Sequence, residues 1–348
     1  MYEFSFAPTI VPLHTSDVNE ALLLTEKLKV IPEPSHVKNV VINDDGTVTY
    51  NGEPKKITQF GFESFCRKLG IPPTFARRIP TDLLLQNIKR LTSTHADAPI
   101  VILKRANGDI AGIGKSPYKE PSYVDVLSTF ADKEYLKYIN VGEAFLTICF
   151  WFDNKPIARA DDDICHVSTT VYSSILQACK VHAFSGVYRN SCENSFIMPY
   201  FGKVKANYKK EDTMLTKFAD TLQCFDQNIY ERLCKNFNVF NVRKLYDTEQ
   251  ASLWKSLHRV VNSSEADVIL KLEEETRKSL LSTVQTRFSE NKRARLEGKS
   301  VSENIFTDVL AYDALNEITS FARQNAFEDD KRKLERLAGD WIDKIILN

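Results

Sequence analysis

Apolar residues in the first half of the chain come in short blocks separated by turn-forming pairs. Residues 1–36 begin with turn-rich segments that reach Ile31-Pro32-Glu33-Pro34, and a short helix is predicted between them at Asp17–Leu28, with Ser16 as its N-cap. Val37–Ile42 and Thr47–Tyr50 flank Asp45-Gly46, which reads as a hairpin. Phe62, Phe65, Cys66 and Leu69 fall at helical spacing, so 58–68 is predicted as an amphipathic helix ended by Gly70 and followed by a stiff Ile71-Pro72-Pro73 corner. A second helix is predicted from Thr81 to Leu91, with Thr81 as its N-cap. A second hairpin is predicted from Ile100–Leu103 and Ile110–Ile113 around Asn107-Gly108, and a helix over Ser122–Phe130.

The pattern then changes. Phe145–Phe152 is apolar and aromatic almost throughout, and at that length it suits a strand buried on both faces. The β-branched Ile164–Tyr172 is predicted to pair with it, and Val187–Asn207 reads as turns and short strands. From Glu211 onward helical periodicity dominates: Met214 to Phe225, Val268–Phe288 and Asn304–Asn325 all fit helices. The charged stretch Asn291–Ser302 reads as a connection, and the chain shows no internal repeat or low-complexity tract. The expected fold is therefore α+β: a mixed, mainly antiparallel sheet body with an α-helical C-terminal third. The organisation expected is an N-terminal hairpin segment over 1–54, a basic α+β body over 55–210, and a helical region over 211–348 packed on the body.

Composition narrows this only slightly. The 348 residues are 43% hydrophobic and 26% charged, the balance of a globular chain. Seven cysteines, an odd number with no C-x-x-C pair, argue against a disulfide framework and a zinc ribbon. The start Met-Tyr-Glu-Phe-Ser-Phe lacks the basic and apolar run of a signal peptide, and no apolar stretch reaches the about 20 residues that cross a bilayer. The expectation is a reduced cytosol, with no membrane partner.

Charge changes the picture more. The 46 basic and 46 acidic residues cancel overall, yet positions 51–210 hold 22 basic against 15 acidic residues. A basic body with acidic flanks permits a polyanionic partner.

Four sets of residues occur in an order that resembles a known family. They are Ile57-Thr58 with Phe62, Cys66, Leu69-Gly70-Ile71-Pro72 and Ile79-Pro80; Gly112-Ile113 followed by Tyr118; Arg189-Asn190-Ser191-Cys192-Glu193-Asn194 with Lys203-Val204-Lys205; and Tyr312 to Thr319 with Ala322 and Leu337-Ala338-Gly339. Over roughly 55–345 the chain resembles the phage- and plasmid-encoded proteins of the domain of unknown function 932 family. It departs from that pattern at Ser195, where the family carries Gly, and at Asn207 or Tyr208, where it carries His. The resemblance implies a context of phages and other mobile elements, near replication or recombination functions and in a bacterial host cytoplasm. It implies no reaction.

The densest basic and polar stretch contains Arg189, Cys192, Asn194, Lys203, Lys205, Lys209 and Lys210, interleaved by Tyr188, Phe196, Tyr200, Phe201 and Tyr208. Cations neutralise phosphates while flat rings stack on unpaired bases, a combination suited to single-stranded nucleic acid. The alternative is a solvated β-edge whose lysines keep neighbouring strands apart. Arg67, Lys68, Arg77, Arg78, Lys89 and Arg90 surround the Gly70 corner, either as one basic face or as ordinary solvated helix surface. The candidate nucleic-acid-binding residues are Arg77, Arg78, Lys180, Arg189, Asn194, Lys203, Lys205, Tyr208, Lys209 and Lys210.

Other chemistries carry weaker signals. Asp161-Asp162-Asp163 before Cys165-His166 recommends Mg²⁺ by residue type, but successive strand residues point to opposite faces and a turn explains them more simply. Cys179 and His182 share a helix face if that segment is helical, yet the Cys/His spacings fit no familiar zinc site. Cys192 as a nucleophile needs His166 or His182 beside it. Gly112-Ile113-Gly114-Lys115-Ser116 lacks the first glycine of a P-loop and reads as a loop closing a hairpin. In the late helix, Asp308, Tyr312, Asn316, Thr319 and Arg323 form a polar stripe that either borders a groove or ties the helix to the body. No catalytic residue, metal or cofactor is assigned. The first functional expectation is a nucleic-acid-binding protein acting in single-strand binding, annealing, recombination or replication, self-assembling through its helical tail. The alternatives are a metal-dependent nucleic-acid enzyme and an inhibitor of a host defence system that contacts a host protein.

Overall fold

The computed structural model describes residues 4, 6–130, 135–158, 164–189, 194–197, 203–205, 227–261, 306–325 and 328–347. The chain is α+β, its sheets antiparallel, and it divides into two compact units. The first comprises Met1–Phe150, Val171–Ala183 and Val204–Thr221; the second comprises Trp151–Thr170, Phe184–Lys203 and Leu222–Asn348.

The first unit opens with β1 (Leu13–Thr15) and α1 (Val18–Leu28). The helix is capped by Asp17 and not by Ser16: the Asp17 carboxylate accepts from the backbone N–H of Asn19 at 2.8 Å and of Glu20 at 3.4 Å. The turn-rich reading of 31–34 also gives way. Ile31–His36 is a strand, β2, paired antiparallel with β6 (Pro99–Lys104), which pairs in turn with β7 (Ile110–Lys115). Two prolines fit in β2 because it is an edge strand and they lie two residues apart, so both missing N–H groups fall on the same side. After a 3₁₀ turn at Val37–Asn39, the first predicted hairpin forms as β3 (Val40–Ile42) and β4 (Val48–Tyr50), with β5 (Glu53–Lys55) alongside.

Helix α2 (Gln59–Lys68) lies against β7. Thr58 caps it, accepting from Gly61 N–H at 3.0 Å and donating to the Ala111 carbonyl at 3.0 Å. Gly70, at φ +79°, ends it in a Schellman motif: Gly70 N–H donates to the Arg67 carbonyl and Ile71 N–H to the Cys66 carbonyl. The short α3 (Pro73–Ala76) follows, then α4 (Thr81–Thr94). Thr81 is its first helical residue and Pro80 occupies the capping position without a side-chain bond, which corrects the predicted cap. Phe62, Phe65, Cys66, Leu84, Ile88, Ile102 and Ile113 are buried in one cluster with Val40, Val48 and Tyr50. Phe4 meets Phe62 edge-on at 5.1 Å.

Ser122 and Asp125 form a capping box at the start of α5 (Tyr123–Phe130). β8 (Leu136–Val141) pairs with β1 and with the first half of β9 (Leu146–Ala158). The apolar run here is buried on both faces, as its composition predicts: Leu146, Ile148 and Cys149 are inaccessible, and Phe150 and Phe152 nearly so.

The second unit carries residues 151–158 of β9, 164–170 of β10 (Ile164–Ser173) and 184–189 of β11 (His182–Arg189), with β12 (Asn194–Ile197) and residue 203 of β13 (Lys203–Lys205). β11 lies between β10 and β12, and β13 also pairs with it. Helices α6 (Gln227–Val242) and α7 (Asp247–Val261) flank β14 (Lys244–Tyr246), which pairs with β15 (Phe306–Leu310). Helix α8 therefore begins at Ala311 (Ala311–Asn325) and not at Asn304; the β-branched Thr307 and Val309 belong to a strand. α9 (Glu328–Leu347) packs against α8. The predicted elements at 214–225, 268–288 and 291–302 lie outside the described residues.

Tyr312 and Thr319 of the polar stripe are buried inside this unit and line no open groove there. The Tyr312 ring sits between Phe237 and Phe240 at 5.8 and 5.9 Å, and its hydroxyl lies 3.9 Å from Cys165 Sγ. Thr319 Oγ1 donates to the Asn316 carbonyl at 3.0 Å. Among the described residues, no helix is long and apolar enough to cross a membrane.

Candidate nucleic-acid interface

In the second unit, three strands bring three flat rings together. Trp151 on β9 stacks on His166 of β10 at 5.9 Å and 17°, and on Tyr188 of β11 at 4.4 Å and 27°. Tyr188 is buried, while Trp151 and His166 are each partly exposed. Strand alternation places Trp151 on the opposite face from Phe150 and Phe152, and His166 on the same face as Ser168. His166 Nδ1 and Ser168 Oγ are buried, and neither has a hydrogen-bond partner among the described residues.

The cationic residues predicted from sequence separate into different environments. Arg77, after α3, is an internal strut: its Nε and Nη2 donate to Glu63 Oε1 and Oε2, each at 2.9 Å. Glu63 is itself buried, so this guanidinium is committed to the fold. Arg78 beside it is exposed, as is Lys180 in the turn before β11. Arg67 lies over the Phe60 ring at 5.1 Å, and Lys89 pairs with Asp44 at 3.2 Å. The six cations around Gly70 therefore do not form one uncommitted basic face.

Arg189 and Asn194 stand opposite one another in the β11–β12 register, and Lys203 and Lys205 lie on β13, which also pairs with β11. Tyr208, Lys209 and Lys210 lie outside the described residues, as do Tyr200 and Phe201. Tyr188, expected among the accessible interleaving rings, is a core residue. The exposed part of the stack comes instead from Trp151 and His166. Their signal in the sequence was a Trp within a strand-length aromatic run and a His at period two in the neighbouring strand.

Asp161 to Asp163 and Cys192 lie outside the described residues. Cys179 and His182 share no helix. Cys179 falls in the 174–180 turn; His182 opens β11, stacks on Tyr172 at 5.5 Å and places Nδ1 2.5 Å from the Lys180 carbonyl. Among the described residues, no three His, Cys, Asp or Glu side chains are placed to hold a metal ion. Gly112 to Lys115 is the second half of β7 rather than a hairpin-closing loop. Burial pushes the Cys66 thiol up to about 12, with Glu63 adding to the shift, so it is a packing residue and not a nucleophile. Burial also raises the Glu120 carboxyl, against the lowering effect of Lys180, and one of its oxygens is buried with no hydrogen-bond partner among the described residues.

Comparison with protein-family models, with curated proteins and with solved structures finds nothing that matches this chain.

Proposed function

We propose that this protein binds single-stranded nucleic acid through the sheet face of its second unit, as a binding module of a phage or other mobile element working in the cytoplasm of a bacterial host. The observation that carries the reading is the partly exposed Trp151 ring, stacked on the partly exposed His166 and on the buried Tyr188. Rings fixed side by side on a sheet offer a platform on which unpaired bases stack without sequence preference. His166 Nδ1 and Ser168 Oγ on the same face are polar atoms without a hydrogen-bond partner among the described residues. Strands β11 and β13 bring Arg189 and Lys203 of this unit into the same sheet as sources of positive charge for the backbone. The mobile-element setting rests on the ordered motifs from Ile57 to Gly339.

The test is a titration with single- and double-stranded oligonucleotides at two salt concentrations. Single strands bind more tightly, and affinity falls steeply with salt. Trp151→Ala weakens binding by about 1–3 kcal/mol, roughly 5- to 150-fold, the scale of one base–aromatic stack. Absence of binding at low salt, or full affinity in Trp151→Ala, refutes the proposal.

A further inference from the structure

In the first unit, α2 and β7 run side by side in the same direction, pinned at three points. Thr58 N–H donates to the Ile110 carbonyl at 2.9 Å, Thr58 Oγ1 to the Ala111 carbonyl at 3.0 Å, and Ile113 N–H to Ser64 Oγ at 2.8 Å. From the last pin, four helical residues advance about 6 Å and two strand residues advance about 6.6 Å. The two elements therefore stay in step and deliver Lys68 and Lys115 to the same level. Lys68 shares a helix face with Ser64, and Lys115 a strand face with Ile113.

Lys68 is half-buried at the end of α2, while Lys115 is exposed. The Lys115 backbone is gripped through both its polar groups by Gln177, whose Oε1 accepts from Lys115 N–H at 2.5 Å and whose Nε2 donates to the Lys115 carbonyl at 3.1 Å. Gln177 itself holds φ +59°, and Gly114 leaves the room that its amide occupies. Among the described residues, no ion pair engages either lysine.

We propose that Lys68 and Lys115 together form a binding site for a phosphate group. Two lysines carried to the same level by pinned elements, neither of them in an ion pair among the described residues, provide charge-assisted donors for a doubly charged oxyanion. Recognition here is by side-chain ammonium groups. It is not the backbone cradle of a P-loop, which the strand conformation of Gly112 to Lys115 does not supply. The electrostatics agree with the geometry: burial first, and the like charge of Lys115 second, lower the Lys68 ammonium to about 8. A phosphate between the two relieves that repulsion. The site uses other residues, in the other unit, than the ring platform and stands independently of it.

The test is competitive acylation of the full chain at about pH 8, where Lys68 is roughly half unprotonated and ordinary lysines are almost wholly charged. Labelling at each lysine is read by peptide mass spectrometry. Inorganic phosphate at about four times its dissociation constant slows Lys68 labelling about fivefold, whereas chloride at equal ionic strength does not. Parallel arms with glycerol phosphate and with a single-stranded oligonucleotide distinguish a small phosphomonoester from a nucleic-acid backbone as the source of the group. Lys115→Gln, a change at an exposed side chain, removes the phosphate protection of Lys68. Equal labelling in phosphate and chloride, or undiminished protection in Lys115→Gln, overturns the site.

Discussion

Arg77 is cationic in sequence and structural in place, and replacing it separates the two roles. In the fold its guanidinium makes two 2.9 Å bonds to the Glu63 carboxylate, which also accepts from Gln59 Nε2 at 3.0 Å. The Glu63 side chain is 8% exposed and that of Arg77 25%. Arg77→Ala leaves a buried carboxylate with Gln59 as its remaining partner in that trio. Removing one partner of a fully buried pair costs about 3–5 kcal/mol, and discounting for the solvent that reaches Arg77 gives about 2–4 kcal/mol here. Arg77→Lys keeps the charge and loses the planar fork, so it recovers only part of that. With a urea slope of about 2 kcal/mol per molar, the midpoint of the first unit's transition falls by about 1–2 M, and the slope is unchanged. Folded Arg77→Ala protein binds oligonucleotides as wild type does. A cost below about 0.5 kcal/mol, the range of ordinary surface changes, refutes the strut; so does a folded variant with weakened oligonucleotide binding.

Two further outcomes follow from the first unit. An alanine Cβ at Gly61 would lie 2.8 Å from the Ile110 carbonyl oxygen and 2.8 Å from Ile57 Cγ1. Because one contact is backbone, Gly61→Ala forces α2 away from β7 and costs about 1–3 kcal/mol in thermal or urea unfolding. Glu120 behaves in the opposite sense. Its carboxyl is raised in the folded state, so the folded chain holds that proton more tightly, and wild-type stability falls as pH climbs from the ordinary carboxylate value through the folded one. Glu120→Gln has no charge to lose: it flattens the decline, is more stable than wild type above that window and equal to it below, as read from unfolding midpoints between about pH 4 and 8.

The parts of the fold legible in the sequence are those fixed by a few neighbouring residues. Asp45-Gly46 and Asn107-Gly108 mark hairpins because the turn needs positive φ, which Gly46 and Gly108 adopt at +80° and +89°. The limits of α2 are written in Thr58 and Gly70. Where two adjacent residues can do the same work, local reading stops: Ser16 and Asp17 both cap helices, and the carboxylate takes the position. β2 was hidden by Pro32 and Pro34, since its edge position depends on pairing with residues about 70 positions away. The candidate site suffered the same limit. A tally of cations does not reveal that Arg77 is answered by Glu63, and an apolar run does not reveal that Trp151 leans on Tyr188 two strands away. Such facts live in tertiary register.

The three-stranded sheet β2-β6-β7 has a consequence for how copies of this chain meet. On its outer margin β7 has filled most of its bonding groups: Ile110 with Lys56 and Thr58, the Ala111 carbonyl with Thr58, Ile113 N–H with Ser64, and Lys115 with Gln177. On the other margin, Pro32 and Pro34 offer no hydrogen to an incoming peptide. Neither border of this sheet has the run of donors and acceptors that recruits a further strand, so any assembly of this chain has to be built from side-chain surfaces or from another sheet.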